Sequence, residues 1–102
     1  MYKNQVVLVT GTSRGLGRQI CEHFLKHGAH VTGISRSKVA IPHERYEHFA
    51  GDVADEKFVQ ESLRIIRDKH ESVHVLVNNA GILSSQLAVL TSQLSVEAVI
   101  RT

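Results

Sequence analysis

The chain has 102 residues and a formal net charge of +2, with 42% hydrophobic and 22% charged residues. This length allows one domain, and the composition is that of a folded chain rather than a disordered one. The small net charge, carried by scattered basic residues, argues against nucleic acid as a partner. One cysteine, Cys21, excludes an internal disulfide. Since no segment resembles a membrane span or a secretory signal, we expect a cytoplasmic protein without a membrane partner.

Four short runs rich in apolar and β-branched residues predict β-strands. They cover residues 5–10, 30–34, 46–50 and 73–77. The first run, QVVLVT, is apolar without interruption, which is typical of a strand buried on both faces of a sheet. The segment between the second and third strands contains Pro42 and is short and polar. We therefore expect a loop there, without a helix to cover that part of the sheet.

Segments with helical spacing of apolar residues alternate with these strands. The first predicted helix covers residues 15–27 and ends at Gly28, a typical C-terminal cap. The second begins after Asp55, a plausible N-cap. Its predicted buried stripe consists of Phe58, Val59, Ser62, Leu63, Ile65 and Ile66. Residues 84–91 are ambiguous, and a third helix is predicted from Ser92 onward, with apolar Leu94, Val96, Val99 and Ile100.

This alternation of strands and helices predicts an α/β fold with a parallel sheet and helices on both faces. Right-handed crossovers would place the four strands in the order 3-2-1-4, the first half of a doubly wound, Rossmann-like fold. Strand 4 would then be an open, apolar edge. In such folds the ligand crevice lies at the carboxyl ends of strands 1 and 4.

A glycine-rich segment, TGTSRGLG, joins the first strand to the first helix at residues 10–17. Gly11 permits a tight turn, Gly15 lets a diphosphate approach the backbone, and Gly17 lets the helix pack closely on the sheet. The free N–H groups of the helix then face the diphosphate. Glycines also occur simply as turn residues, so the position between a strand and a helix carries this prediction. The predicted dinucleotide contacts in this segment are Gly11, Ser13, Arg14, Gly15, Leu16 and Gly17.

The spacing T-G-x-x-x-G-x-G differs from that of ordinary dinucleotide folds and of the Walker A loop, and it resembles the short-chain dehydrogenase/reductase family. The loop is most similar to that of the 3-oxoacyl-[acyl-carrier-protein] reductase branch. Two further family motifs follow in order, Asp52-Val53 after the third strand and Asn78-Asn79-Ala80-Gly81 after the fourth. The resemblance spans nearly the whole chain and implies that residues 1–102 form an NAD(P)-binding domain.

In that family, the residues at Asp52 and Val53 hold the adenine ring. The residue at Asn79 contacts the ribose, and the one at Gly81 leaves room for the cofactor; Ala80 between them is counted with the cofactor-binding residues. Two structural interpretations remain open beside these roles. Asp52 could close an Asx turn after the third strand, and the asparagines could simply tie the fourth strand to its neighbours.

The choice of cofactor depends on the end of the second strand. NAD-specific members place an acidic side chain there, which binds the ribose 2′-hydroxyl and repels a 2′-phosphate. This chain has Ser35-Arg36-Ser37 instead. Arg36, with Arg14 approaching from the glycine-rich loop, could pair with a phosphate, which favours NADP(H) over NAD(H). The alternative is that Arg36 is a solvated loop residue.

The resemblance implies hydride transfer between nicotinamide and a carbonyl or alcohol carbon, with a Tyr-x-x-x-Lys pair as acid catalyst. Tyr2 is followed four residues later by Val6, and Tyr46 by Ala50, so neither fits. We expect a truncated cofactor-binding half of an oxidoreductase, without catalytic residues, whose full-length form is a homo-oligomer. The alternative is a non-catalytic dinucleotide-binding or sensing module. The G-x-x-G-x-x-G of extended-family epimerases does not match the glycine spacing.

A histidine pair is the remaining candidate for chemistry. His23 and His27 lie four residues apart and would share one face of the first helix, as metal ligands can. No third ligand accompanies them in the sequence, so we interpret them as surface histidines and predict no metal site.

Overall fold

The computed structural model describes residues 3–12, 15–37, 41–79 and 84–101. In this part of the chain the elements follow in the order β1 (Val6–Thr10), α1 (Gly15–Lys26), β2 (His30–Ser35), β3 (Tyr46–Ala50), α2 (Glu56–His70), β4 (Val75–Asn78), α3 (Ser84–Leu94) and β5 (Ala98–Arg101). The strands pair in parallel in the order β3-β2-β1-β4-β5. The predicted α/β fold and the order 3-2-1-4 are confirmed, and a fifth strand extends the sheet.

The central strand β1 separates two hydrophobic clusters. Val6 and Leu8 pack with residues of α2 and α3 on one face of the sheet. Val7 and Val9 pack with residues of α1 on the other face. Because both faces of β1 are covered, its side chains are all buried, which is why its sequence is apolar without alternation.

The predicted caps of the first two helices are confirmed. Gly28 has a φ of +94°, and its N–H donates to Leu25 O at 3.1 Å while the Ala29 N–H donates to Phe24 O at 3.1 Å. These two bonds form a Schellman motif, which ends α1. At the start of α2, the Asp55 carboxylate accepts from the Phe58 N–H at 3.2 Å.

The sequence predicted that Ile65 belongs to the buried stripe of α2, and this prediction is wrong. Ile65 is 43% exposed. The buried residues of this helix are Ser62, Leu63 and Ile66, with Phe58 and Val59 partly buried against the core. At 3.6 residues per turn, Ile65 lies about 200° around the helix axis from Leu63, which turns it away from the sheet.

The predicted helix from Ser92 onward is also wrong. Helix α3 ends at Leu94, where Ser95 adopts a φ of +53° and the Val96 N–H donates to Thr91 O at 3.1 Å. Strand β5 follows and pairs with β4. The β-branched pair Val99 and Ile100 suits a strand, and the unpaired edge of β4 supplies its backbone partners.

Strand β4 is therefore an interior strand, and the prediction that it forms the open edge is wrong. The edge on this side is β5, whose residues are all exposed, including Val99 at 40% and Ile100 at 43%. On the other side, the described residues between β2 and β3 contain no helix, in keeping with the sequence prediction. None of the helices in the described part of the chain has the length and apolar character that crossing a bilayer requires.

Cys21 lies on the buried face of α1, and its burial gives a testable property. Desolvation, with a smaller contribution from Glu22, raises the pKa of the thiol from 9.0 to about 12. The thiolate is the reactive form, and the raised pKa makes it much rarer at neutral pH than in an exposed cysteine. We expect iodoacetamide to modify the folded chain at a rate limited by unfolding and the urea-unfolded chain at the rate of an ordinary thiol, as followed by mass spectrometry. Equal rates in the two states would contradict this expectation.

Candidate functional site

The turn that follows β1 is tied to both neighbouring strands. Gly11 has a φ of +73°, a conformation that favours glycine. Its N–H donates to Ile34 O of β2 at 2.7 Å, and its carbonyl accepts from Asn79 Nδ2, just after β4, at 2.9 Å. The carboxyl ends of three adjacent strands are thereby held together at one edge of the sheet.

Gly17 brings the first turn of α1 against this junction. A Cβ atom at Gly17 would lie 2.7 Å from Asn79 Nδ2 and 2.9 Å from the carbonyl carbon of Gly11, and would also overlap the Gly11 carbonyl oxygen. Real Cβ atoms do not approach other atoms so closely, so the packing of α1 on the sheet depends on the missing side chain. This is the close approach that the sequence predicted for Gly17.

Gly15, in contrast to Gly17, has room for a side chain. It is exposed at the first position of α1, and its φ is +61°. Apart from its chain neighbours and its own helix, no atom of the described residues lies within 4 Å of where its Cβ would be. Leu16 beside it is exposed as well. Gly15 and Leu16 are therefore exposed at the start of α1, beside the junction of β1 and β4. Ser13 and Arg14, which the sequence also places in this site, lie outside the described residues.

Asn79 joins β4 to the glycine-rich turn through its backbone as well as its side chain. Its N–H donates to the buried Thr10 hydroxyl oxygen at 3.1 Å. With the bond from its side chain to Gly11, this is the structural tie between strands that the sequence left open as an alternative role. The ribose contact stays a prediction, and Ala80 and Gly81 lie outside the described residues.

Arg36 and Asp52 contact each other, which the sequence analysis did not foresee. Arg36 Nη2 lies 3.2 Å from Asp52 Oδ2, with the two side chains 80% and 43% exposed. The other oxygen of Asp52 accepts from the Ala54 N–H at 2.9 Å, so the Asx turn considered above is present. Val53 packs against the core cluster on the α2 side of the sheet. An ion pair this exposed contributes about 0–1 kcal/mol, so a stronger anion can displace it.

A polar network beside this pair was not predicted from the sequence. Tyr46 and His48 of β3 point toward the turns that follow β1 and β2, where they meet Thr12, Ser35 and the Ser37 carbonyl. The alternation Tyr-x-His places both side chains on one face of a strand, which is the signal that could have revealed the network.

A glycine of β2 provides the space for these side chains. A Cβ at Gly33 would lie 2.8 Å from Thr12 Oγ1 and 2.9 Å from Tyr46 Cζ, and would overlap the Tyr46 hydroxyl oxygen. Burial raises the pKa of Tyr46 to about 12, against a smaller lowering by its hydrogen bond to Thr12. The phenol therefore stays protonated and able to donate at neutral pH.

No group of three or more His, Cys, Asp or Glu residues is placed to hold a metal ion in residues 3–12, 15–37, 41–79 and 84–101. His23 and His27 do share one face of α1, with ring centroids 4.5 Å apart. His27 Nδ1 lies 2.9 Å from the His23 carbonyl oxygen.

Comparison with known proteins agrees with this architecture. The family model for short chain dehydrogenases matches residues 5–102. A 3-oxoacyl-[acyl-carrier-protein] reductase from Vibrio harveyi is 36% identical over 91 residues, which cover 83% of this chain and 37% of that protein. The 15-hydroxyprostaglandin dehydrogenase [NAD(+)] of Rattus norvegicus is 33% identical over 109 residues, covering 94% of this chain and 40% of that protein. The chain belongs to the short-chain dehydrogenase/reductase family.

Solved structures show the same fold. Ligand-free aldohexose dehydrogenase from Thermoplasma acidophilum matches with a TM-score of 0.68 and 39% identity, over 80% of this chain and 31% of that chain. A short-chain dehydrogenase/reductase from Serratia marcescens matches with a TM-score of 0.75 over 92% of this chain and 52% of that chain; at 22% identity it supports the fold alone. The chain thus spans well under half the length of the curated relatives described above.

Proposed function

We propose that the chain binds NADP(H) where β1 and β4 end, as the cofactor-binding part of an oxidoreductase that transfers hydride between nicotinamide and a carbonyl or alcohol carbon. The observation that carries this proposal is the packing of Gly17 against Gly11 and Asn79. It brings the N-terminus of α1 to the carboxyl edge of the sheet, at the point where the strand order reverses. This is where doubly wound folds bind dinucleotides.

The charge at the N-terminus of α1 suits a diphosphate. The first turn of this helix contains no acidic residue, so its free N–H groups and partial positive charge are not neutralised from within the helix. Gly15, exposed at the first position of the helix, has no side chain that would cover them. A diphosphate could therefore accept hydrogen bonds directly from the backbone, as it does at other helix N-termini.

The preference for NADP(H) is supported by the end of β2. Ser35, Arg36 and Ser37 carry no carboxylate that would repel a 2′-phosphate, and the Arg36 guanidinium is 80% exposed. Asp52 is the partner of Arg36 in the structure, but a dianionic phosphate would bind the guanidinium more strongly than this carboxylate does. Family membership alone does not decide this preference, since the rat relative is named for NAD(+).

When bound, the cofactor would supply the hydride. The residues of this chain would bind and orient it: the turn at Gly11 and the N-terminus of α1 would hold the diphosphate, Asn79 the ribose, and Arg36 the 2′-phosphate. The sequence has no Tyr-x-x-x-Lys pair, so proton transfer to the substrate would need groups that these residues do not provide.

A charge placed at Gly15 tests the proposal. We expect Gly15→Asp to weaken NADPH binding, measured by cofactor fluorescence, at least about tenfold, because its carboxylate would occupy the anion-binding end of α1. Helix stability should not fall for electrostatic reasons, since an acidic residue in the first turn stabilises a helix by about 0.3–1 kcal/mol.

Gly15→Asn is the matched control, because asparagine has the same size as aspartate and a similar tolerance of positive φ without the charge. It should weaken NADPH binding less than Gly15→Asp does, because its side chain obstructs the approach of the diphosphate without adding a negative charge. If the unmodified chain binds neither NADPH nor NADH, or if both variants bind NADPH as tightly as the unmodified chain, the proposed site is wrong.

A further inference from the structure

We infer that His48 is a positioning residue for recognition of the cofactor 2′-phosphate, because it holds the turn that carries Arg36. This inference rests on the proposed NADP(H) site and extends it to a residue of β3. His48 would act on the phosphate through the backbone on either side of Arg36, without touching the cofactor itself.

The hydrogen bonds of His48 define its tautomer. Nε2 lies 2.9 Å from the Ser37 carbonyl oxygen, which can only accept, so Nε2 carries the proton. Nδ1 lies 2.8 Å from the Tyr46 hydroxyl. The protonated Tyr46 hydroxyl can donate to Nδ1, since its other partner, Thr12 Oγ1, lies farther away at 3.4 Å. The ring thus accepts a hydrogen bond on its β3 side and donates one to the turn.

The turn is fixed at both residues that flank Arg36. The Ser37 carbonyl accepts from the Ser35 hydroxyl at 2.8 Å as well as from His48. The Ser35 hydroxyl oxygen also lies 3.1 Å from His48 Nε2, and the Ser35 carbonyl accepts from the Gly51 N–H at 2.8 Å. The Arg36 side chain, 80% exposed, extends into solvent from this segment.

Clamping the backbone matters because the Arg36 side chain is long and exposed. An arginine that leaves solvent to hold a phosphate loses rotamer entropy, and the loss grows if its backbone must be ordered at the same time. His48 orders that backbone before the ligand arrives. Tyr46 in turn fixes the imidazole, and Gly33 provides the space that the Tyr46 ring and hydroxyl occupy.

The test compares NADPH with NADH, which differ only in the 2′-phosphate. We expect His48→Ala to lower the ratio of NADPH to NADH affinity about three- to tenfold, the effect of one or two lost hydrogen bonds, while NADH affinity changes little. His48→Gln, which keeps a donor near the position of Nε2, should restore part of the ratio. Tyr46→Phe, which removes the donor to Nδ1, should lower the ratio by a smaller factor.

A double variant separates positioning from a direct contact. If His48 acts through Arg36, adding His48→Ala to Arg36→Ala should lower the ratio no further. His74→Ala is the matched control, because His74 Nδ1 accepts from the Val6 N–H at 2.9 Å at the opposite end of the sheet. It should leave the ratio unchanged whatever it does to stability.

Three outcomes would overturn the inference. The first is an unchanged NADPH/NADH ratio in His48→Ala or, if His48→Ala does not fold, in Tyr46→Phe. The second is a further loss in the double variant, which would show that His48 acts independently of Arg36. The third is a wild-type chain that binds neither cofactor, which would overturn the proposed function together with the inference.

Discussion

Gly17→Ala is expected to destabilise the chain by about 3 kcal/mol, toward the upper end of what overpacking costs. The added methyl group would overlap the Gly11 carbonyl oxygen and crowd Asn79 Nδ2 at 2.7 Å. Neither atom can move away easily, since Gly11 N–H is bonded to Ile34 O and Asn79 Nδ2 is bonded to Gly11 O. Helix propensity alone would predict the opposite sign, about 1 kcal/mol of stabilisation for alanine over glycine. The steric cost of the added methyl group exceeds the gain in helix propensity, so the net effect is destabilising.

Urea unfolding followed by circular dichroism would measure this difference in the free energy of unfolding. Gly15→Ala is the matched control in the same helix. Its Cβ has no neighbour within 4 Å, so only the positive φ opposes it, at a cost of about 1–2 kcal/mol. If Gly17→Ala proved as stable as the unmodified chain, α1 would not approach the sheet as closely as described.

Arg36→Asp is expected to lower the NADPH/NADH affinity ratio by about tenfold to a hundredfold. The substitution removes the guanidinium partner of the phosphate and places a carboxylate beside Asp52, whose ion pair with Arg36 is lost. Like charges brought together at a binding site cost up to several kcal/mol, and both changes disfavour the phosphate dianion. NADH affinity should change much less, because its 2′-hydroxyl can donate to the new carboxylate.

Titration of the chain with each cofactor would measure the ratio. Arg64→Asp makes the same change of net charge at an exposed position on α2, and it should leave the ratio nearly unchanged. Raising the salt concentration should narrow the difference between the cofactors in the unmodified chain, because exposed charges are screened. A ratio unaffected by Arg36→Asp would leave Arg36 as a solvated loop residue and remove the basis for an NADP(H) preference.

The elements found correctly from the sequence are those whose signals are local. The uninterrupted run before Gly11 marks a strand covered on both faces, and Gly28 and Asp55 cap their helices as predicted. The glycine spacing also placed a turn between the first strand and the first helix. In these cases the backbone conformation is set by residues within one turn of each other, so a single sequence is sufficient.

The end of the chain was predicted wrongly because its conformation depends on a distant partner. The spacing of Leu94, Val96, Val99 and Ile100 fits a helix as well as a strand, and the pairing of β5 with β4 decides between them. The exposure of Ile65 has a similar origin, because the sheet contacts only the side of α2 that carries Leu63 and Ile66.

The sequence by itself therefore determined the alternation of strands and helices, the order of the first four strands and the glycine-rich turn of this family. Only the tertiary structure decided the partner of Arg36, the contacts of His48 and the fifth strand. Asp52 lies 16 residues from Arg36 and Ser37 lies 11 from His48. Contacts across such separations depend on strand register and on which side chains share a sheet face, and these are settled when the whole sheet assembles.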